Sequence, residues 1–223
     1  MIQPSTIRFL KDLKRNNNKQ WFDVHREMYL AARSDLENFV KQVLTETASF
    51  DNELKELQVK NCTFRINRDI RFSKDKSPYK TNMAAYMNKG GKKSIYAGYY
   101  FHLEPGDNSL TGGGLWMPEA SSLKKIRQEI DYCFPGFKKI ISGRGFKKQY
   151  PSGLTMSADQ ILVNVPKGYD KENKAAEFLK LKSFVALKKI PDAQLTGSIL
   201  KKEVILAFKA LIPLVKFLNH SLE

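Results

Sequence analysis

Cysteine is scarce in this chain of 223 residues. The two cysteines, Cys62 and Cys133, form no CxxC pair, and two thiolates cannot by themselves supply the four ligands of a structural zinc site. We therefore predict no metal site and interpret both residues as buried thiols.

Long apolar runs are also missing. The longest apolar stretch, residues 204–218, is interrupted by Lys209, Pro213 and Lys216, whereas a membrane span needs about 20 nearly uncharged residues. The opening segment carries charges from Arg8 onward and has no small-residue cleavage site after an apolar run, so it does not read as a signal peptide. These features predict a soluble, cytoplasmic protein with no membrane partner.

The composition is that of a folded globular chain. Hydrophobic residues make up 42% and aromatic residues 11% of the sequence, which is enough to build a core and excludes disordered and collagen-like classes. No internal repeat and no low-complexity linker divides the chain. At about 150 residues per domain, this length predicts a single domain over residues 1–223.

Positive charge is in excess. The 38 Lys and Arg residues outnumber 23 Asp and Glu residues, which gives a net charge of +15. The net charge rises from +1 over residues 1–60 to +4 over 61–120 and +10 over 121–223. Such a field attracts phosphates, nucleic acid or an anionic membrane surface without choosing among them. The alternative is a lysine-rich surface that only keeps the protein soluble.

Hydrophobic periodicity places helices at both ends of the chain and strands in the middle. Apolar residues recur at helical spacing over residues 7–13, 21–48, 118–134 and 198–218. Alternation predicts strands at 63–72, 95–103 and 184–187, with a turn at 105–108 and a partner strand at 109–117. The pattern predicts an α+β fold with a central, mostly antiparallel sheet and helices from both chain ends packed on it.

The densest candidate for chemistry is RINRDIRFSKDKSPYKTN, residues 65–82. If residues 63–72 form a strand, one of its faces carries Arg65, Asn67, Asp69 and Arg71. Arg68 is the exception on the opposite, apolar face, so a bulge or a strand end near Asn67 and Arg68 is the alternative. The polar face is unfavourable unless it meets solvent or a ligand, and arginine suits oxyanions. Internal ion pairs, with Asp69 holding the arginines, are the alternative.

Two further groups of residues suggest a pocket. Three consecutive glycines, Gly112 to Gly114, stand in a predicted strand and can form a pocket floor with Trp116 as an aromatic wall. The alternative is a β-bulge that leads into a helix. His102 and Glu104 share one face of the preceding strand, as a base and its partner would, although a lone histidine is also a common structural residue.

Several segments together resemble a known family. They are FLKDLKRNNNKQWFDVHREMY near the start, RINRDIRFSKDKSPYKTN, GYYFHLEPG, GGGLWMPE and PKGYDKENKAAEFLKLKSFVA. They resemble a widespread bacterial and fungal family of conserved hypothetical proteins known only as a domain of unknown function. The resemblance implies no activity. Asn173 and Lys174 stand where an acidic residue and a histidine are more usual, so it implies no histidine role there.

The leading functional prediction is a basic pocket on the sheet face for an anionic, phosphate-bearing ligand. Arg65, Arg71 and Lys80 would neutralise the anion and Asn67 and Tyr79 would orient it, with Trp116 as the wall. No cofactor is predicted, because the glycine patterns of nucleotide-binding loops are absent.

Two rival functions remain open. One is a nucleic-acid-binding module without catalysis, which would use the sheet face and the basic segment 138–148 with its interleaved aromatic residues. The other is an enzyme directed at a phosphoester or a carboxylate, with Asp69 and either His102 or Glu104 as the acid–base pair. The sequence does not decide between binding and catalysis.

Overall fold

The computed structural model describes residues 1–223 and has the predicted α+β architecture. Four strands form one antiparallel sheet in the order β1 (Met83–Asn88), β2 (Gly98–Leu103), β3 (Leu110–Leu115) and β4 (Phe184–Lys189). The helices are α1 (Pro4–Arg15), α2 (Lys19–Val24), α3 (Arg26–Ala48), α4 (Val59–Cys62), α5 (Ala120–Tyr132), α6 (Phe134–Ser142), α7 (Arg144–Gln149), α8 (Ala176–Leu179), α9 (Asp192–Leu195) and α10 (Ile199–His220). No helix has both the length and the apolar character needed to cross a membrane.

The two faces of the sheet differ. On the inner face the rings of Tyr99 and Phe101 meet Phe208 of α10 and Phe39 of α3, with ring centroids 5.0 and 4.9 Å apart. On the outer face, one row of paired residues runs across all four strands and consists of Tyr86, Tyr100, Gly112 and Leu187. The large side chains of this row are only partly covered, so the outer face is where the sheet meets solvent.

The helix predicted over residues 21–48 is divided at His25 into α2 and α3. Asn18 caps α2 by accepting a hydrogen bond from the backbone N–H of Trp21. The His25 ring stacks on Trp21 at 4.0 Å and its Nδ1 lies 2.8 Å from the Trp21 carbonyl oxygen. The histidine thus occupies the junction between the two helices.

The strand predicted over residues 63–72 ends at Arg68, where the sequence allowed a strand end, and its second half, residues 69–72, is wrong. Residues 63–68 run antiparallel to residues 78–85 through isolated bridges that pair Thr63 with Ala85 and Asn67 with Tyr79. After Arg68 the chain leaves the sheet and forms a charged loop, residues 69–77. Its only aromatic residue, Phe72, is 96% exposed and Ile70 is only partly buried, so the loop packs no apolar row against the sheet that would hold it in strand geometry.

Other elements follow the prediction with smaller differences. Strands β2, β3 and β4, helix α5 and helix α10 lie where the periodicity placed them. Strand β1 was not predicted, because MAAYMN is almost wholly buried and does not alternate. Helix α7 occupies part of the basic segment 138–148, and the chain after Asp170 forms only the short helix α8.

Candidate functional site

A basic cavity of about 790 Å³ lies between α3 and the segment 63–67. Tyr29, Arg33, Leu36 and Glu37 lie on one face of α3 and form one wall, because they recur at helical spacing. The ionisable groups that surround the cavity, apart from Tyr29, are six cations and one carboxylate: Arg33, Lys60, Arg65, Lys80, Lys92, Lys93 and Glu37.

The carboxylate of the basic cavity already has a partner. Arg33 Nε donates a hydrogen bond of 2.8 Å to Glu37 Oε1. Two of the lysines have only main-chain acceptors: Lys80 Nζ donates to the Arg65 carbonyl oxygen and Lys92 Nζ to the Lys60 carbonyl oxygen, both at 3.0 Å. Five cations of this cavity make no ion pair, namely Lys60, Arg65, Lys80, Lys92 and Lys93.

The electrostatic effect of this arrangement is visible at Lys80. Burial lowers the pKa of its ammonium group, and the neighbouring Arg65 charge lowers it further. Lys80 Nζ also lies 5.6 Å from the centre of the Phe64 ring, a geometry in which the ring attracts a cation. The cavity therefore holds positive charge that the protein does not balance.

Of the six residues predicted to bind a ligand, three line the basic cavity: Arg65, Asn67 and Lys80. Arg71 does not line it, and neither does Asp69. In the exposed loop, Arg71 Nε and Nη2 donate to the two carboxylate oxygens of Asp69 at 2.9 and 2.6 Å, and this contact lowers the pKa of Asp69. The prediction that all four alternating side chains share one sheet face is wrong, because the strand ends at Arg68.

Tyr79 lies in the core. Its ring stacks on Phe22 at 3.9 Å, and its backbone N–H and carbonyl are hydrogen-bonded by the side-chain amide of Asn17. It lines neither cavity. These contacts tie the segment after loop 69–77 to the N-terminal helices, so the position of Tyr79 is that of a packing residue.

A second cavity, of about 490 Å³, lies on the outer face of the sheet. Gly113, Gly114 and Trp116 line it, as the pocket interpretation of the glycine segment expects. A Cβ at Gly114, whose φ is +117°, would lie 2.0 Å from the Phe184 carbonyl oxygen, and one at Gly113 would lie 2.2 Å from the Gly98 carbonyl oxygen. Only glycine fits such close approach of neighbouring strands, so this part of the cavity surface is bare main chain.

Three side chains on β2 and just beyond it form a hydrogen-bonded row. His102 Nδ1 lies 3.0 Å from the Tyr100 hydroxyl and His102 Nε2 lies 3.0 Å from Glu104 Oε2. Thr81 Oγ1 donates to the other Glu104 oxygen at 3.2 Å. Because an ionised carboxylate only accepts, a neutral His102 carries its proton on Nε2 and accepts the Tyr100 proton at Nδ1. Burial, with a smaller contribution from the Glu104 charge, raises the pKa of Tyr100 to about 12.

The two cavities adjoin. Phe64 and Lys92 line both of them. Tyr100 and His102 line the sheet-face cavity, and Glu104 is hydrogen-bonded to His102.

Sequence reasoning missed Arg33, Lys60, Lys92 and Lys93, which come from distant segments and carry no motif of their own. Tyr100 had a signal, since it shares the face of His102 in the alternating strand.

The aromatic residues of the segment 137–150 are not available for stacking on bases. Phe137, Phe146 and Tyr150 are all buried, and the Tyr150 hydroxyl donates to the Ala207 carbonyl oxygen at 3.0 Å. The basic residues there lie on helices α6 and α7 around core rings. These rings therefore offer bases no surface for stacking.

No three His, Cys, Asp or Glu side chains converge as a metal site requires. Cys62 is buried, as expected, and burial raises its pKa to about 11. Cys133 is only partly buried, which corrects the expectation for that residue.

No curated protein and no solved structure matches the chain. The model of one family matches residues 5–217, which agrees with the resemblance of the segments quoted above. The chain belongs to the DUF2461 family of conserved hypothetical proteins.

Proposed function

We propose that the basic cavity binds an anionic, phosphate-bearing ligand. The observation that carries this proposal is the set of five cations, Lys60, Arg65, Lys80, Lys92 and Lys93, that face one cavity without a carboxylate partner. Like charges gathered in one place repel each other. An anion bound among them would offset that repulsion.

The side chains differ in what they contribute. Arg65 is exposed and presents a planar fork that suits two oxygens of a phosphate. Lys80 is held at the cavity wall by its bond to the Arg65 carbonyl oxygen, and the amide of Asn67 can donate to a third oxygen. Asp69, Arg71 and Tyr79 take no part in this proposal, because they line neither cavity.

A matched pair of arginine variants tests the site. We expect pyrophosphate, titrated by calorimetry, to bind the wild type and to bind Arg65→Ala about tenfold to a hundredfold more weakly, since a hydrogen bond to a charged group contributes about 1.5–3 kcal/mol. Arg71→Ala removes another exposed arginine, one that lines neither cavity, so its affinity should equal that of the wild type. Equal losses in both variants, or no binding to the wild type, would contradict the proposal.

The hydrogen-bonded row on the outer face favours a second candidate function, a phosphoester-directed enzyme. Both ring nitrogens of His102 already have partners. A proton from the attacking water could therefore reach His102 only through Tyr100. As the water oxygen bonds to phosphorus and the ester P–O bond breaks, the Tyr100 oxygen would take a proton from that water and pass its own proton to His102 Nδ1, while Glu104 stabilises the imidazolium. The proton would then return through Tyr100 to the leaving oxygen. Asp69, in its exposed loop, is not part of this arrangement.

Hydrolysis of p-nitrophenyl phosphate tests the second candidate. We expect the wild type to release nitrophenol and both Tyr100→Phe and His102→Gln to lose at least about a hundredfold in rate, the scale of general acid–base catalysis. Asp69→Asn should retain full activity. A wild type without turnover, together with intact pyrophosphate binding, would leave a binding protein.

A further inference from the structure

The sheet-face cavity complements the basic cavity in chemistry. Most of its lining is apolar, and it includes four aromatic rings, those of Phe64, Tyr86, Tyr100 and Trp116. Its volume of about 490 Å³ lies within the range of about 300–1,000 Å³ that small-molecule sites occupy. One cavity thus offers cations and the other offers rings, and they meet at Phe64 and Lys92.

The surface of the sheet-face cavity is suited to a flat group. Gly113 and Gly114 line this cavity between the paired residues of β2 and β4, and a Cβ would lie 2.2 Å from a carbonyl oxygen of β2 at Gly113 and 2.0 Å from one of β4 at Gly114. The surface between the side chains therefore stays bare backbone. Trp116, at the end of β3, is 56% exposed, so its ring is free to cover a group that lies on this surface.

Few polar atoms in the sheet-face cavity lack partners. The Tyr86 hydroxyl donates to the Gly114 carbonyl oxygen at 2.7 Å, and the Ser94 hydroxyl both donates to the Lys89 carbonyl oxygen and accepts from Asn88. The Tyr100 hydroxyl donates to His102, which leaves its oxygen able to accept one more hydrogen bond. The cavity thus provides stacking surface and one acceptor.

We propose that the two cavities form one site for a phosphorylated ligand that carries a flat aromatic or heteroaromatic ring. The phosphate lies among Arg65, Lys80 and Lys92, and the ring lies on the glycine surface against Trp116. A ring N–H or hydroxyl donates to the Tyr100 oxygen. This inference rests on the proposed anion site and adds the class of ligand to it.

A panel of phosphates with and without rings tests the inference. The four nucleoside 5′-monophosphates and 1-naphthyl phosphate carry rings, whereas ribose 5-phosphate and inorganic phosphate do not. We expect at least one ring-bearing phosphate to bind about tenfold tighter than ribose 5-phosphate, since stacking on an aromatic side chain commonly contributes that much or more.

The two tryptophans allow the ring to be located. In a Trp21→Phe background Trp116 is the only tryptophan, and its fluorescence should be quenched by the ring-bearing phosphate and unchanged by ribose 5-phosphate. Trp116→Ala should lose the tenfold gain and keep the affinity for ribose 5-phosphate. Trp21→Phe serves as the matched control, because Trp21 lines neither cavity, and its affinities should equal those of the wild type.

The outcomes separate the two proposals. If every ring-bearing phosphate binds no more tightly than ribose 5-phosphate, the shared site is wrong and the anion site stands. If the tenfold gain survives in Trp116→Ala without quenching in the Trp21→Phe background, the ring lies elsewhere and the shared site is also wrong. If no phosphate of the panel binds, both proposals fail.

Discussion

At the scale of single residues, the charges of the segment 65–80 divide into those with partners and those without. Arg68 donates to Asp75, to the Ser77 carbonyl oxygen and to Ser73. Its guanidinium group therefore stabilises loop 69–77. Arg71 is paired with Asp69. Arg65 has no carboxylate partner, and this difference, which composition does not reveal, makes it the better candidate for a ligand.

Asp75 gives a prediction about pH. Hydrogen bonds from the hydroxyl and the N–H of Ser77, and then from Arg68, lower the pKa of Asp75 to about 2. A carboxyl whose pKa is lowered on folding stabilises the fold above its ordinary pKa of about 4, and this contribution is lost as pH falls through the folded value. We expect loop 69–77 to stay ordered at pH 4 and to loosen towards pH 2, as measured by backbone NMR relaxation.

The control for the pH prediction is Ser77→Ala, which removes the hydroxyl hydrogen bond that lowers the pKa of Asp75 most. In that variant the carboxyl resonance of Asp75 should titrate closer to pH 4. An Asp75 resonance that titrates near pH 4 in the wild type would show that the loop is not held as described.

Tyr99 gives a prediction about stability. It is fully buried, and its hydroxyl donates to Asp51 Oδ2 at 2.7 Å. Tyr99→Phe leaves a buried carboxylate short of a donor, which should cost about 1.5–3 kcal/mol of unfolding free energy in urea titrations. The matched variant Tyr150→Phe loses only a bond to a carbonyl oxygen and should cost about 1 kcal/mol. The reverse order would contradict this account.

At the scale of elements, the sequence predicted what local periodicity determines. Strands β2 and β3 and helix α10 follow from alternation, a turn and helical spacing. The end of the segment 63–68 also had a local signal, because the charged Arg68 interrupts the apolar face there. Strand β1 had none, because MAAYMN is buried on both faces and does not alternate.

Of the candidate site, too, the sequence predicted only the residues that belong to one local motif. Arg65, Asn67 and Lys80 were picked out by one motif, and all three line the basic cavity. Lys60 and Lys92 reach the same cavity because α4 and the turn after β1 pack together, with Lys92 Nζ bonded to the Lys60 carbonyl oxygen. That convergence is a result of tertiary packing.

Two glycine substitutions test the close approach of strands in the sheet. Gly113→Ala would place a methyl group 2.2 Å from the Gly98 carbonyl oxygen, so the backbone must shift at a cost of about 1–3 kcal/mol or more. Gly136→Ala lies in helix α6 with nothing within 4 Å of the added carbon and should stabilise by about 0.5–1 kcal/mol. Thermal melts should shift in opposite directions, and a neutral Gly113→Ala would contradict the geometry.

At the scale of the whole molecule, the net charge of +15 draws in anions of any size, while the cavity geometry favours small ones. A protein that neutralises several backbone phosphates loses roughly 10³-fold or more in affinity between 50 and 200 mM salt. We expect pyrophosphate binding, with two or three contacts, to weaken far less over that range. A single-stranded oligonucleotide titrated in parallel should bind only weakly at low salt, and tight, steeply salt-dependent binding would instead support the nucleic-acid function.

The order of strands in the sheet has a consequence for folding time. Strands β1, β2 and β3 are joined by short connections within residues 83–115, whereas β4 begins only at Phe184, so its pairing with β3 must close a long loop. We expect the first three strands to associate early and β4 to dock late. Val185 and Leu187 of β4 form one side of the sheet-face cavity, so that cavity is complete only after the last strand has joined, and a refolding chain would acquire it among its final steps.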